Sequence, residues 1–333
     1  MPFPIFSFLI RGLSYLSAPV SSNFLILFSS AFSSVIIIFM KRIITYPITA
    51  EYDNMTVRAF LTLHGYSHAV LVLLKKTHKS ILVNGVWYYV NDRLKEGDAL
   101  QITIDEPFGS TQIEPAALPF EIVYEDEDIL VINKPAGMPV HPSIHNYNNT
   151  LANGVMYYLN EKGTSCTFRC VNRLDKDTTG LTIIAKHSLS SAVLNRQMNE
   201  RAIKRTYLAI VNGITAKEGT IDAPIAREAD SAITRCVDYE HGEAAVTHYK
   251  RLAVSGNISL IELHLDTGRT HQIRVHMKHI GHPLIGDFLY NPDFTKIKRQ
   301  ALHSCRLEFC HPVTGEALIF DAPLPKDMRD ILN

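Results

Sequence analysis

Residues 170–186 read CVNRLDKDTTGLTIIAK, and the order of residue types in this stretch organises the chain around it. A polar half carrying Arg173, Asp175, Lys176 and Asp177 passes through Thr178-Thr179-Gly180 into an apolar, β-branched run that reads as a buried strand. A carboxylate at the lip of such a strand can serve as nucleophile, general acid or base, metal ligand or half of an ion pair. An unperturbed Asp, with a pKa of ~3.9, is ionised at neutral pH. Closing a pocket over it would raise that pKa, and a neighbouring guanidinium would offset the rise and orient the oxygens. On an extended segment Arg173 and Asp175 point to the same side, and the Thr-Thr-Gly turn would let the backbone approach whatever Asp175 touches. A purely structural Arg–Asp pair satisfies the same pattern, so spacing alone leaves both readings open. A metal nuclease would want more converging carboxylates. A retaining glycosidase needs a second carboxyl group ~5 Å away, which Asp177 supplies only if the turn folds it back.

Upstream, FEIVYE and ILVINKP read as strands around the EDED turn, and NNTLANGVMYYLNEKG has a polar cap and helical apolar spacing. Downstream, SLSSAVLNRQMNERAI reads as a helix and KRTYLAIVNG as a strand, with further strands up to about Leu265. RTHQIRVHMKHI is a helix candidate, and ALHSCRLEF and EALIFDAPL close the chain as strands around the HPVTG turn. Strands and helices do not alternate strictly, which predicts an α+β fold with a mixed, mostly antiparallel sheet.

The 333 residues suffice for two domains, and 46% hydrophobic against 20% charged residues describe a folded protein. Five cysteines without a CxxC pair fit reduced thiols in the cytoplasm better than a disulfide framework or a zinc site. The net charge is zero, but the segment from Asp105 to Asp128 holds eight acidic residues and no lysine or arginine. Its removal leaves 33 basic against 25 acidic residues, so the remainder carries +8. A locally basic body can hold a polyanion even when the whole chain is neutral. Residues 1–39 contain a single charge, Arg11. Their apolar run is barely long enough to span a bilayer, and its flanking positive charge lies on the wrong side for a signal peptide. MKRIITYPIT opens like an ordinary soluble domain, so Met40 reads as the natural start, with a weak membrane anchor as the alternative.

Residues 53–104 read as a compact module: two short helices, the second capped by Ser67, then SILV and VWYYV flanking the hairpin signal Asn84-Gly85. Lys75, Lys76, His78 and Lys79 gather where helix meets ribbon. That suits phosphate contact, and equally a solvated helix end. The run VNGVWYYVNDRLKEGDAL resembles the end of the small RNA-binding module of ribosomal protein S-four, over about fifty residues. The resemblance implies that Lys75, Lys76 and Lys79 face structured RNA. Residues 105–119, with three prolines and a glycine, read as an acidic linker to a domain over 120–333.

Three ordered motifs, NRLDKDTTGL, KRTYLAIVNG and GRTHQIRVHMKHIGHPLIGDFLY, together resemble the RluA-type pseudouridine synthases over roughly residues 118–326. The resemblance implies an isomerase that flips a uridine out of RNA, most often large-subunit ribosomal RNA, and rejoins its base to the sugar through carbon 5. It implies Asp175 as the nucleophilic carboxylate and Tyr207 as the ring stacked on the uracil, with a share in removing the proton at carbon 5. Arg274 would pair with Asp175, while Arg173 fills the gap left by the flipped nucleotide or contacts its phosphate. Arg269 would add an RNA contact. No metal, nucleotide or redox cofactor is implied, and the protein is expected to act as a monomer. Asn172 departs from the family's usual histidine, and altered backbone positioning or RNA contact is expected there. The competing readings are a non-catalytic RNA-binding or ribosome-assembly factor on the same scaffold, and a hydrolase using Asp175 with Asp177.

Overall fold

The computed structural model describes residues 38–332 except 107–109, 111 and 232, so the extension expected over residues 1–39 lies almost wholly outside the described residues. The described chain begins with strand β1 (Ile38–Pro47), followed by helices α1 (Val57–Leu63) and α2 (His68–Lys76) and strands β2 (Ile81–Val83), β3 (Val86–Trp87) and β4 (Ala99–Glu106). Thr56 and Ser67 cap the two helices by accepting from the backbone N–H three residues on. Asn84 and Gly85 both take positive φ, 50° and 81°, as a two-residue hairpin turn matched to strand twist requires. Phe60, Leu61, Leu74, Leu100 and Ile102 form the core between helices and sheet. The strand order is β3-β2-β4-β1-β7, where β7 (Thr164–Ser165) comes from beyond the expected linker.

The expected linker is not a free tether. Asp105 and Glu106 complete β4, and residues 113–120 pack on helix α3 (Leu151–Glu161). There Asn153 donates to the Glu114 carbonyl and Ala116 N–H donates to the Asn153 carbonyl, while Leu118 and Phe120 cover the helix.

The larger sheet is built from β5 (Glu121–Glu125), β6 (Ile129–Lys134), β8 (Thr179–Ala185), β9 (Lys204–Asn212), β10 (Glu218–Asp222), β13 (Val246–Ser255), β14 (Ile258–Leu265), β15 (Leu302–Cys310) and β16 (Ala317–Asp321). A separate ribbon pairs β11 (Ile225–Arg227) with β12 (Arg235–Val237). The order is β10-β13-β14-β9-β15-β8-β6-β5, with β16 on β15; every pairing is antiparallel except β8 with β15. Helices α4 (Ser188–Asn199) and α5 (Gln272–His279) pack against it, which makes the fold the α+β class expected. Strand β8 is buried along its whole length, as its uninterrupted apolar run demands. Gly180, at φ +110°, lies where a Cβ would collide with the Ser304 carbonyl, so the Thr-Thr-Gly signal serves strand packing and not approach to a ligand. The chain does not end in strands: α6 (Lys326–Leu332) follows, anchored by the fully buried Met328.

The acidic segment locks the two sheets together. Arg42 on β1 donates to both oxygens of Asp128, at 2.7 and 3.1 Å, and Glu106 pairs with Arg169 at 2.6 Å. Asp128 also meets buried His187 at 2.8 Å, and Leu189 and Val193 of α4 enter the core around α2. Burial pushes the Asp128 carboxyl up, but the bonds from His187 and Arg42 outweigh it and hold the group below its usual range.

Candidate active site

Asp175 sits in the loop before β8, half-buried, on the wall of a groove of about 930 Å³. Arg173, Lys176, Arg201, Lys204, Arg205 and Arg269 contribute to the same groove. Behind it lies a recess of about 70 Å³ that brings Asp175, Tyr207 and Arg274 together with Arg173 and His271. Residues distant in sequence converge there: the loop before β8 supplies Asp175, the middle of β9 supplies Tyr207, and α5 with the residue before it supplies Arg274 and His271.

The partner of Asp175 is Arg274 and not Arg173. Arg274 Nη1 donates to Asp175 at 2.9 Å, whereas Arg173 is exposed on the groove. The chain turns only after Asp175, where Thr178 N–H donates to the Asp175 carbonyl. Arg274 is itself buried, and Asp287 holds its other edge through Nε at 2.7 Å and Nη2 at 2.8 Å. Its guanidinium lies 5.1 Å from the Tyr290 ring centroid and 5.5 Å from that of Phe288. Burial opposes the guanidinium charge, but the bonds to Asp287 prevail and hold Arg274 firmly protonated. The pair thus carries a fixed cation whose outer edge serves Asp175.

Tyr207 lies within β9, opposite Leu263 and Ser304, with its ring packed against Leu174, Ile273 and Leu302. Burial pushes its phenol up, so it stays protonated at neutral pH. His271 is the residue before α5, held at φ 59° in the left-handed region that non-glycine residues seldom enter. Its Nε2 stands 3.9 Å from Asp175 and its Nδ1 3.0 Å from the Tyr290 hydroxyl. That hydroxyl accepts from Arg235 N–H, which ties the imidazole to the β12 ribbon. Burial pushes the imidazole pKa down. His276 bonds Thr247 and the Ala223 carbonyl inside the core and is structural.

Asn172 is buried, donates to the Leu181 carbonyl at 3.1 Å and accepts from Ile183 N–H at 2.8 Å. It stitches the loop to β8, and its burial removes it from RNA contact. Asp177 points away from Asp175: it accepts from Gly137 N–H and lines a different cavity with Lys296 and Arg299. The two carboxylates therefore do not converge as a two-carboxylate hydrolase needs. Arg269 is exposed and already paired with Glu243. Lys75, Lys76 and Lys79 are exposed on the other sheet's helix–ribbon junction.

Two participants escaped sequence reading. Asp287 stood in the quoted HPLIGD turn, where Gly286 (φ +69°) leaves no room for a Cβ against the Arg299 carbonyl. Lys134 is almost fully buried, its Nζ donating to the carbonyls of Pro135, Met138 and Lys176, and burial pushes its pKa down to about 7. It fastens the backbone between Asp175 and Asp177, and nothing in an INKP strand end distinguishes it from an ordinary surface lysine.

A basic groove over a carboxylate that is backed by a buried guanidinium, with an aromatic ring in the same recess, defines an enzyme that works on part of a polyanion. A family model described as RNA pseudouridylate synthase matches residues 128–279. An RNA pseudouridine synthase of Bacillus subtilis, YjbO, itself uncharacterised, is 40% identical over 279 residues, covering 84% of this chain and 98% of that one. Ribosomal large subunit pseudouridine synthase D of Zymomonas mobilis is 42% identical over 254 residues, 71% of this chain and 79% of its own. The solved structure of human RNA pseudouridylate synthase domain containing 1 shares 27% identity with a TM-score of 0.52, covering 62% of this chain and 84% of that one. The chain belongs to the RNA pseudouridine synthase family and is an isomerase that acts on RNA.

Proposed function

We propose that this synthase isomerises uridine in large-subunit ribosomal RNA, as a cytoplasmic monomer, with Asp175 as the nucleophile. The single observation that carries the chemistry is the Asp175–Arg274 bond of 2.9 Å at the junction of recess and groove. The substrate reading draws on the relatives named for the large ribosomal subunit. A base must leave the helical stack to be rearranged, and the extruded state is stabilised by ring stacking and by cations on the neighbouring phosphates. Tyr207 is the stacking surface, while Arg173 fills the vacated position or holds its phosphate. Arg269 and the lysines of an S-four-like module over 53–104 contact RNA farther out.

Arg274 holds one oxygen of Asp175 and aims the carboxylate towards the sugar–base bond. The bond between N1 and the sugar breaks with help from Asp175, the uracil turns between recess and groove, and carbon 5 bonds to the sugar. The proton on carbon 5 leaves, with Tyr207 taking part, and N1 gains one, so the reaction is an isomerisation.

Tritium release from RNA labelled at carbon 5 of uridine separates the substrates. Release from unmodified large-subunit ribosomal RNA, and little from transfer RNA, is expected. Release confined to transfer RNA would overturn the substrate assignment while leaving the chemistry intact.

A further inference from the structure

Far from the recess, the edge of the N-terminal sheet carries aromatic rings that the packing of the fold does not account for. Strand β3 is the outermost strand, so one side of it has no neighbour among the described residues. Trp87, the chain's sole tryptophan, is 41% exposed there, and Tyr89 is 61% exposed. Their ring centroids lie 5.1 Å apart at 36°, and His78 meets Trp87 edge-on at 4.9 Å. These rings touch one another in water instead of being buried. Exposed Lys75, Lys76 and Lys79 stand in the same few residues as His78.

The platform is held from beneath. Asp92 accepts from Tyr89 N–H at 2.6 Å, and Tyr88 N–H donates to the Ile81 carbonyl. On the opposite side the Ser80 hydroxyl donates to the Leu74 carbonyl at 2.6 Å, fixing the turn in which Lys79 takes φ 54°. Both walls are therefore set before any ligand arrives, which lowers the ordering cost of binding.

We propose that Trp87, Tyr89 and His78 form a stacking site for unpaired bases of the RNA substrate, with the three lysines tracking the adjoining phosphates. Aromatic faces interleaved with cations grip single strands, because every base offers a π face once it is out of a duplex. A duplex hides those faces and offers its phosphates alone. Beside the structured RNA that the resemblance implies for the lysines, the aromatic face would select a single-stranded element near the target. The proposal rests on the RNA-modifying reading of the whole chain, but its test does not depend on catalysis.

Because Trp87 is the sole tryptophan, its emission reports the site directly. The full-length protein is titrated with oligoadenylate, which contains no uridine, and with an RNA duplex of equal length, following both Trp87 emission and anisotropy of labelled RNA. Saturable quenching by oligoadenylate, with duplex binding that leaves the emission unchanged, is expected. Binding of oligoadenylate without quenching, or equal quenching by both RNAs, would overturn the proposal. Trp87→Ala should weaken oligoadenylate binding about tenfold, and Trp87→Phe, which keeps a ring, should restore most of it. In tritium release from ribosomal RNA, Trp87→Ala should raise KM at unchanged kcat; a fall in kcat alone would contradict a substrate-holding role. If wild type is quenched yet releases no tritium, the isomerase reading fails and the stacking site stands.

Discussion

Asp287 grips Arg274 with both carboxylate oxygens, at 2.7 and 2.8 Å, and leaves only the outer guanidinium nitrogen for Asp175. One cation thus serves two carboxylates with different exposure: Asp287 is fully buried and structural, while Asp175 opens to the groove. Removing one partner of a buried pair strands the other, at a cost of about 3–5 kcal/mol. Asp287→Ala should lower unfolding free energy by that order in urea titration, with loss of tritium release. Asp287→Asn, which keeps the shape and some hydrogen bonds, should fold better yet remain slow, because Arg274 is no longer fixed. Full activity of the Asn variant would show that fixing Arg274 does not matter.

Tyr207 joins two functions that one substitution can separate. Tyr207→Phe keeps the ring and removes the hydroxyl, so RNA binding should persist while carbon-5 proton loss slows by roughly 10²-fold or more. Tyr207→Leu should weaken both. The readouts are single-turnover tritium release and equilibrium binding of the same RNA; an undiminished Phe variant would leave only the stacking role.

Arg173, exposed on the groove, should behave as an electrostatic contact. Arg173→Ala should reduce affinity and lower the slope of log affinity against log salt by about 0.7–0.9. An unchanged slope would place the residue off the RNA path.

The interface between the two sheets should loosen in acid. The Asp128 carboxyl is held below its usual range in the folded protein, so the unfolded chain takes up its proton first, near pH ~3.9. Its contribution is fully present above that pH and is lost as pH falls through the lower folded value. Asp128→Asn should reduce stability at pH 7 and flatten the acid limb of stability against pH. A parallel limb in the two proteins would mean that other carboxylates govern it.

Local chemistry was legible in the sequence, and long-range partnership was not. Residues 170–186 declare a strand because a run of branched apolar side chains has few other ways to be buried, and Ser67, Thr150 and Asn84-Gly85 mark caps and a turn by their own hydrogen bonds and backbone preferences. Motif order likewise brought Asp175, Tyr207 and Arg274 to notice. Spacing suggested Arg173 as the neighbour of Asp175, but a helix 99 positions away supplies the partner. The burial of Asp287 and Lys134 depends on tertiary packing that no local pattern encodes. Helix α6 was legible and overlooked: Pro325 precedes it and Asp327 lies in its first turn, both signs of a helix start.

The central claim is that Asp175 performs the chemistry and is not merely part of an RNA-binding surface. Tritium release from carbon-5-labelled ribosomal RNA by wild type and Asp175→Asn, with RNA affinity measured on the same preparations, tests it most directly. The account predicts release by wild type, none by the variant, and similar affinity in both. Release by Asp175→Asn at the wild-type rate would contradict it.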